Sequence, residues 1–236
     1  MTAASVDSGR AGPVVEARGL YHIYRETEVE TVALRDAGLV LERASWTSVM
    51  GPSGSGKSTL VHVLAGLIEP NGGSVMVDMQ DITRLSPPDR ARWRRRSVGV
   101  VLQRDNLHPL LDAGDNVALP LRLEGRPRRA VRARVDELLE RVGLSERRRH
   151  TLAQLSGGEA QRAAIAVALA PEPKILLADE PTGELDEETA SAVLDLLAEL
   201  RNREGATLLT VTHNPQVAER ADRRLTMRDG QVFDAD

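Results

Sequence analysis

The stretch Thr47-Ser-Val-Met-Gly-Pro-Ser-Gly-Ser-Gly-Lys-Ser-Thr59 decides the expected fold of this chain. Its apolar start predicts a strand, and the apolar spacing that follows predicts a helix over residues 57–67. Gly51–Thr59 matches the pattern G-x-x-x-x-G-K-[ST] between these two elements, as a phosphate-binding loop requires. Glycines allow successive backbone amides to turn toward phosphate oxygens, and the helix start adds the positive end of its dipole. The alternative, a flexible Gly/Ser turn with one stray lysine, leaves this context unexplained.

The side chains of this loop have expected roles at a bound nucleotide. Lys57 would reach the β- and γ-phosphates, and the hydroxyl of Ser58 would coordinate Mg²⁺. The candidate nucleotide-binding residues of the loop are Gly51, Pro52, Ser53, Gly54, Ser55, Gly56, Lys57, Ser58 and Thr59.

A second chemical signal is the apolar segment Lys174-Ile-Leu-Leu-Ala-Asp-Glu180, which ends in two carboxylates. A buried strand delivers such residues to the carboxyl edge of a parallel sheet, where ligands bind. Asp179 would hold Mg²⁺, directly or through water, and Glu180 would orient and deprotonate the attacking water. Taken alone, the segment could equally be an ordinary strand followed by solvated acids, but the phosphate-binding loop favours the metal site.

The third signal, Leu155-Ser-Gly-Gly-Glu-Ala-Gln-Arg162, resembles the signature motif of ATP-binding-cassette (ABC) ATPases. Ser156, Gly157 and Gly158 at a helix start can form a second anion site, although a capped helix is the simpler interpretation of this motif alone. Its place between the phosphate-binding loop and Asp179 supports the resemblance, which covers about residues 14–232.

The resemblance implies an α/β fold of the P-loop NTPase type found in ABC ATPases. Such a fold has a mostly parallel sheet core, an antiparallel β edge and an inserted helical subdomain. The residue pattern is consistent with this fold, because β-like segments follow one another before the phosphate-binding loop, and helices alternate with strands after the signature motif. Between them, the apolar spacing from Val131 to Val142 marks one face of a helix. We expect a disordered lead-in over residues 1–12 and a single domain over 13–236, with the helical subdomain at about 105–157.

The resemblance also assigns roles to residues outside the three motifs. Gln103 matches the Q-loop glutamine that senses Mg²⁺ and the membrane partner, and Glu184-Leu-Asp186 matches the D-loop at the dimer interface. His213 matches the switch histidine that contacts the γ-phosphate. A lone histidine after a strand is more often structural, so the role of His213 follows from the resemblance only. Tyr24 is the expected aromatic partner of adenine, and Tyr21 is the competing candidate.

ABC ATPases with these motifs use ATP and Mg²⁺, and the resemblance implies a homodimer or pseudo-dimer of ATPase subunits. The phosphate-binding loop and Glu180 of one subunit would face residues 156–158 of its partner across the γ-phosphate. The chain has no run of about 18 apolar residues, so we expect it to energise a separate transmembrane permease from a peripheral position on the cytoplasmic face of the cell membrane. The segments after Gln103 and around Asp186 resemble the subgroup that serves lipoprotein-release, macrolide-export and FtsX-like permeases, which implies export or mechanotransmission.

Composition excludes several other function classes. The 236 residues include no cysteine, which rules out a disulfide scaffold, a thiolate zinc site and a cysteine nucleophile. A net charge of −4 and only two Trp, two Tyr and one Phe argue against a nucleic-acid partner. The alternative function is a soluble ABC ATPase that acts on nucleic acid or ribosomes. A binding-only regulatory subunit conflicts with the intact motif residues, and a P-loop kinase leaves the signature motif unexplained.

Arginine clusters lie at residues 90–96, 126–134 and 147–149, around the expected helical subdomain. We expect most of them to form solvated helix faces. The alternative is contact with anionic lipid headgroups or with an acidic segment of the permease.

Overall fold

The fold consists of two sheets and seven helices in the part of the chain that the computed structural model describes, residues 12–26, 29–183 and 185–235. The strands are β1 (Val15–Glu26), β2 (Val29–Leu41), β3 (Trp46–Met50), β4 (Gly72–Val77), β5 (Gln80–Asp81), β6 (Val98–Val101), β7 (Ile175–Asp179), β8 (Thr207–Thr212), β9 (Arg223–Arg228) and β10 (Gln231–Asp234). The helices are α1 (Lys57–Leu64), α2 (Pro87–Ser97), α3 (Ala113–Leu123), α4 (Arg128–Arg141), α5 (Gly157–Leu169), α6 (Glu187–Glu204) and α7 (Pro215–Glu219).

The larger sheet is parallel except at one edge. Its order is β10-β9-β3-β8-β7-β6, and only β10 runs antiparallel to its neighbour. Every residue of β7 and β8 is buried, as expected for parallel strands that are covered on both faces. Since these strands point the same way, the carboxyl ends of β3, β7 and β8 meet at one edge of the sheet.

The smaller sheet is antiparallel and has the order β2-β1-β4-β5. Two of the β-like segments expected before the phosphate-binding loop, at 32–34 and 39–41, are parts of the single strand β2. Asp36, between them, takes a left-handed φ of 55°, where the register between β1 and β2 shifts. This bulge explains why the apolar pattern of β2 is interrupted in the sequence.

Alternate residues of the parallel strands pack into two separate cores. Leu176 and Ala178 of β7 contact the core formed with helices α3 to α6, and Leu177 contacts the core formed with α1 and the antiparallel sheet. Trp46, at the start of β3, is 1% exposed and belongs to the helical core. The parallel sheet is therefore the rigid layer that carries the loops at its carboxyl edge.

Two helices, α3 and α4, form the predicted helical insertion. The predicted apolar face of α4 is correct, since Val131, Val135, Leu138 and Leu139 are all buried. Asp112 caps α3 by accepting a hydrogen bond from the backbone amide of Asp115, and Pro120 lies inside this helix. The boundaries proposed for the subdomain and for the whole domain remain predictions, and the lead-in is described only at Gly12.

Several element ends differ from the sequence-based expectation. The helix predicted over 57–67 ends at Leu64, because Gly66 takes a left-handed φ of 64° just beyond it. The elements α2, α7, β9 and β10 were not predicted. In β9 only Leu225 and Met227 are buried, so the strand carries too few apolar residues to stand out.

Candidate functional site

The phosphate-binding loop joins β3 to α1, as predicted, and its glycines are required by close packing. A Cβ atom on Gly51 would lie 2.3 Å from the carbonyl oxygen of Met227, and one on Gly56 would lie 2.3 Å from that of Ala33. Gly56 also takes a left-handed φ of 103°, which favours glycine. The loop is thus held between β2 and β9, and the backbone amides can line its inner side.

Lys57 is the first residue of α1 and is 8% exposed. Its ammonium donates hydrogen bonds to the carbonyl oxygens of Gly51, at 2.8 Å, and Pro52, at 3.0 Å. Helix α1 has no side-chain cap and no acidic residue in its first turn. Its first amides therefore keep their partial positive charge available to an anion.

Asp179 ends β7 opposite the phosphate-binding loop. Asp179 is 3% exposed, its Oδ1 atom has no hydrogen-bond partner among the described residues, and the Ser58 hydroxyl lies close enough to interact with the carboxylate. Burial raises the pKa of Asp179, although the hydrogen bond from Ser58 opposes that shift. A buried, unpaired carboxylate oxygen beside a hydroxyl is an oxygen-donor set that fits Mg²⁺.

Glu180 follows Asp179 and is held by the segment after β8. Its Oε2 atom accepts a hydrogen bond from the Thr212 hydroxyl at 2.9 Å, and its Oε1 atom accepts one from the backbone amide of His213 at 3.0 Å. The His213 Nδ1 atom lies 2.7 Å from the same Oε1 atom. Glu180 also takes a left-handed φ of 49°, a strain that such contacts can maintain at a functional site.

Gln103 lies two residues after β6 and lines a cavity of about 320 Å³ together with Gly157, Gln161, Glu180 and Leu185. The structure therefore brings the predicted Q-loop, the start of the signature helix and the predicted base around one space. Asn106 holds this segment, because its side chain both accepts a hydrogen bond from the Leu102 amide at 2.7 Å and donates one to the Leu102 carbonyl at 2.6 Å.

The signature motif forms the capped start of α5. The Ser156 hydroxyl accepts a hydrogen bond from the Glu159 amide at 3.2 Å, and the Glu159 carboxylate accepts one from the Ser156 amide at 2.9 Å. Arg147 also donates to Glu159, at 2.8 Å. The backbone bond from Ser156 is the largest cause that lowers the pKa of Glu159, and the Arg147 bond adds to it. This reciprocal cap leaves the amides of Gly157 and Gly158 pointing outward from the helix start.

The predicted D-loop leads into α6. Leu185 and Asp186 are described, whereas Glu184 lies outside the described residues. Asp186 caps α6, since its Oδ1 atom accepts a hydrogen bond from the Thr189 amide at 3.0 Å. The hydrogen bonds from the Thr189 amide and hydroxyl lower the pKa of Asp186.

Tyr24 is 40% exposed in β1, and its hydroxyl lies 3.4 Å from that of Thr59 in α1. The edge of the His22 ring contacts the Tyr24 ring, with 4.6 Å between the ring centroids and an angle of 79° between the planes. Tyr21, the competing candidate, is 46% exposed and lies beside Gly72 in β4. The choice of Tyr24 as the adenine contact remains a prediction, which its place beside the phosphate-binding helix supports.

The sequence analysis missed several residues that hold the site together. Thr212, Asn106 and Arg147 fix Glu180, the Q-loop and the signature cap respectively. Arg147 belongs to one of the arginine clusters. Some other members form exposed ion pairs, such as those of Arg92 and Arg148, whereas the paired side chains of Arg90 and Arg134 are mostly buried. A hydroxyl residue directly before His213 was the only signal for Thr212.

Comparison with known proteins places these motifs in one family. A family profile described as "ABC transporter" matches residues 34–183. The lipoprotein-releasing system ATP-binding protein LolD of Shewanella oneidensis is 41% identical over 219 residues, which are 93% of this chain and 95% of that protein. LolD of Bordetella pertussis is 42% identical over 221 residues, 94% of this chain and 96% of that protein.

Solved structures give the same result for the fold. A dimeric bacterial ABC transporter cassette superimposes with a TM-score of 0.87 at 37% identity, over 92% of this chain and 96% of the other. The same cassette is known as a dimer in a post-hydrolysis state bound to ADP and Pi, with the same TM-score of 0.87. The cbiO1 protein of Clostridium perfringens, part of the ABC transporter complex cbiONQ, has a TM-score of 0.81 at 29% identity, over 94% of this chain and 87% of the other.

Proposed function

This chain belongs to the ABC transporter family of ATP-binding subunits, and from that membership we propose that it drives a permease of the lipoprotein-releasing type through an ATP site shared between two subunits. It binds and hydrolyses ATP, forms an ATPase dimer and works with a separate membrane component. The alternative, an ABC ATPase that acts on nucleic acid or ribosomes, is not favoured. The lipoprotein-releasing assignment rests on the relatives, each about two-fifths identical over nearly the whole chain.

The phosphates of ATP would bind in the loop between β3 and α1. Lys57 carries a positive charge there, and the uncapped amides of α1 add to it. Within the described part of the chain, Lys57 donates to loop carbonyls and has no ion pair, so its ammonium can exchange these bonds for phosphate oxygens. The Tyr24 ring would cover the base, since it lies next to Thr59 at the same helix.

Ser58, Asp179 and Gln103 are the residues that would hold Mg²⁺. When bound, Mg²⁺ would neutralise phosphate charge and orient the phosphates. The Asp179 carboxylate gains the most from a cation, because its Oδ1 atom is buried without a partner. Gln103 would supply a neutral oxygen donor, and it lines the same cavity as Glu180, the residue next to Asp179.

Glu180 is the proposed general base. Its Oε2 atom is fixed by Thr212, whose hydroxyl also accepts a hydrogen bond from the Asn214 amide at 3.0 Å. His213 would contact the γ-phosphate through its ring, which is bonded to Oε1 in this structure. If the ring turns toward phosphate, Oε1 loses one of its two hydrogen bonds, keeps the one from the His213 amide, and can accept a proton from the attacking water.

The second half of the site would come from the partner subunit. The helix start at Ser156 offers the amides of Gly157 and Gly158, and the Ser156–Glu159 cap keeps them in place. The presence of two anion-binding helix starts in one chain, those of α1 and α5, is explained if α1 of one subunit faces α5 of the partner across a dimer. Loss of the γ-phosphate on hydrolysis would then remove the bridge between the subunits.

We place the chain at the cytoplasmic face of the cell membrane, bound to its permease. Among the described residues, no helix is both long enough and apolar enough to cross a bilayer. The cavity lined by Gln103 and Leu107 is open to contact from outside the ATPase, and Leu110, three residues after Leu107, is 84% exposed. An exposed leucine at this position fits a protein partner.

The observation that carries the proposal is the position of Glu180, bonded to His213 at the carboxyl edge of the sheet, beside Asp179. The test is size exclusion of the Glu180→Gln variant with and without ATP, combined with phosphate release by the parent. We expect the variant to bind ATP, to shift from monomer to dimer only with ATP, and to hydrolyse it at least about 100-fold more slowly than the parent. A variant that hydrolyses ATP at the parent rate, or a parent that binds no ATP, would overturn it.

A further inference from the structure

The second glycine of the signature motif is packed against a threonine of α6. A Cβ atom on Gly158 would lie 2.2 Å from Cγ2 of Thr189, 3.4 Å from its Cβ and 3.5 Å from its Oγ1. A Cβ atom on the preceding residue, Gly157, would meet no described atom within 4 Å. The two glycines therefore differ: Gly157 faces open space, whereas Gly158 is a glycine because the Thr189 methyl group occupies the place of a side chain.

Thr189 is itself held in place from the D-loop side. Its backbone amide donates to Oδ1 of Asp186 at 3.0 Å, and its hydroxyl donates to Oδ2 of the same carboxylate at 2.7 Å. The two bonds use both oxygens of Asp186 and orient the Thr189 side chain, so that its methyl group points at α5. A threonine in a helix otherwise divides its population between two rotamers.

Two backbone hydrogen bonds between described residues lie between this pair and the predicted base. The amide of Gly183 donates to the carbonyl of Glu180 at 3.1 Å, and the amide of Leu185 donates to that of Thr182 at 3.2 Å. The turn that follows Glu180 thus leads directly into the Asp186 cap. Within one subunit, the segment that bears Glu180 and the signature helix meet through Thr189.

We propose that Thr189 is a positioning residue, whose methyl group sets the place of the signature amides that bind the partner subunit's nucleotide. The inference rests on the proposed function, in which Gly157 and Gly158 act across the dimer. Amide donors stabilise an anion only when they are placed to within a few tenths of an ångström, so a missing methyl contact at Gly158 weakens the anion site. The Ser156–Glu159 cap holds the first turn of α5 together, and the contact of Gly158 with Thr189 sets where that turn lies relative to α6.

The test compares Thr189→Ser with Thr189→Val in the Glu180→Gln background. Serine keeps both bonds to Asp186 and removes Cγ2, whereas valine keeps a branched carbon and removes only the hydroxyl bond. We expect the ATP concentration for half-maximal dimerisation to rise about fivefold with serine and to stay within about twofold of the Glu180→Gln parent with valine. ATP binding by the monomer is measured at protein concentrations too low for dimers. It should be the same for the Glu180→Gln parent and for both Thr189 variants, because the phosphate-binding loop precedes α1 and Thr189 lies in α6.

If Thr189 has a purely structural role, the serine variant should have a lower melting temperature, and its ATP binding as a monomer should not differ from its dimerisation in how strongly it is affected. Equal dimerisation by the serine variant and the Glu180→Gln parent would overturn the proposal. If the Glu180→Gln parent does not dimerise with ATP at all, the proposed function fails first, so the two failures are distinguishable.

A second measurement needs no dimer: Gly158→Ala should melt at a lower temperature than Gly157→Ala, and adding Thr189→Ser should recover part of that loss. No recovery would show that Cγ2 is not the contact, and would also overturn the proposal.

Discussion

The carboxylate of Glu180 and the imidazole of His213 are in direct contact, with 2.7 Å between Oε1 and Nδ1. The Glu180 side chain is 9% exposed and that of His213 is 65% exposed, so the pair joins a buried base to a histidine at the surface. The same Oε1 atom also accepts the backbone amide of His213. Rotation of the ring toward a phosphate would therefore remove one bond from Glu180 and leave the other, which keeps the carboxylate in position.

The first prediction concerns His213. His213→Ala should lower kcat by at least about 100-fold and leave the affinity for ATP within about threefold, because His213 is hydrogen-bonded to Glu180 and most of the phosphate contacts come from the loop before α1. Phosphate release and equilibrium nucleotide binding measure the two quantities separately. Parent-like turnover would show that this histidine has only a structural role.

The second prediction concerns Thr212, which is fully buried and bonded to Oε2 of Glu180. Its hydroxyl accepts the Asn214 amide, so its proton is directed to the carboxylate. Thr212→Val should lower kcat about tenfold, while Thr212→Ser, which keeps the hydroxyl, should stay within about threefold of the parent. Equal losses in both variants would assign the effect to packing of the methyl group instead.

The features predicted most accurately from the sequence are those that a short local pattern determines. The phosphate-binding loop, Asp179 and Glu180 lie where the strand ends place them, because parallel strands bring their carboxyl ends to one edge. The capping pair Ser156 and Glu159 is likewise a local signal, since its two members are one helical turn apart.

The contacts that the sequence did not reveal join residues far apart in the chain. Arg147 reaches Glu159, Thr189 packs against Gly158, and Thr212 reaches Glu180 only after the sheet has formed. Periodicity and spacing describe a single element, so they carry no information about which side chain of another element fills a gap. The missed strand β9 has a similar cause, because its burial depends on β3 and β10 as neighbours.

The third prediction concerns Asn116, which is 4% exposed and organises the segment before α3. Its side chain accepts the His108 amide at 2.7 Å and donates to the carbonyls of His108, Leu111 and Asp112 at 3.0–3.2 Å. Asn116→Ala removes the partner of the His108 amide and of the Leu111 carbonyl, whereas the carbonyls of His108 and Asp112 keep backbone hydrogen bonds. The loss should cost about 2–3 kcal/mol and lower Tm by roughly 5–10 °C. Asn202→Ala, at an exposed position of α6, is the matched control and should change Tm by less than about 2 °C. Equal melting of the two variants would contradict the role of the Asn116 network.

The fourth prediction follows from the burial of Asp179, which raises its pKa. Between the ordinary pKa of an aspartate and this raised value, the folded chain binds more protons than the unfolded chain. Stability therefore falls as the pH rises through that window, and above it the folded state carries the full cost of a buried, partly unpaired charge. Asparagine has nearly the same shape and no charge, so Asp179→Asn removes this cost.

In buffer without Mg²⁺ or nucleotide at neutral pH, Asp179→Asn should therefore melt roughly 2–4 °C above the parent, as expected for about 1 kcal/mol in a chain of this size. The difference should shrink as the pH falls through the window, because the parent carboxyl becomes neutral in both states. Addition of Mg²⁺ and ATP should reverse the order, since only the parent offers a charged ligand to the cation. Scanning calorimetry across the pH range, with and without the ligands, measures both effects. A variant that is less stable than the parent without ligands would show that Asp179 is stabilised by its surroundings, against the burial and the unpaired Oδ1 atom seen here.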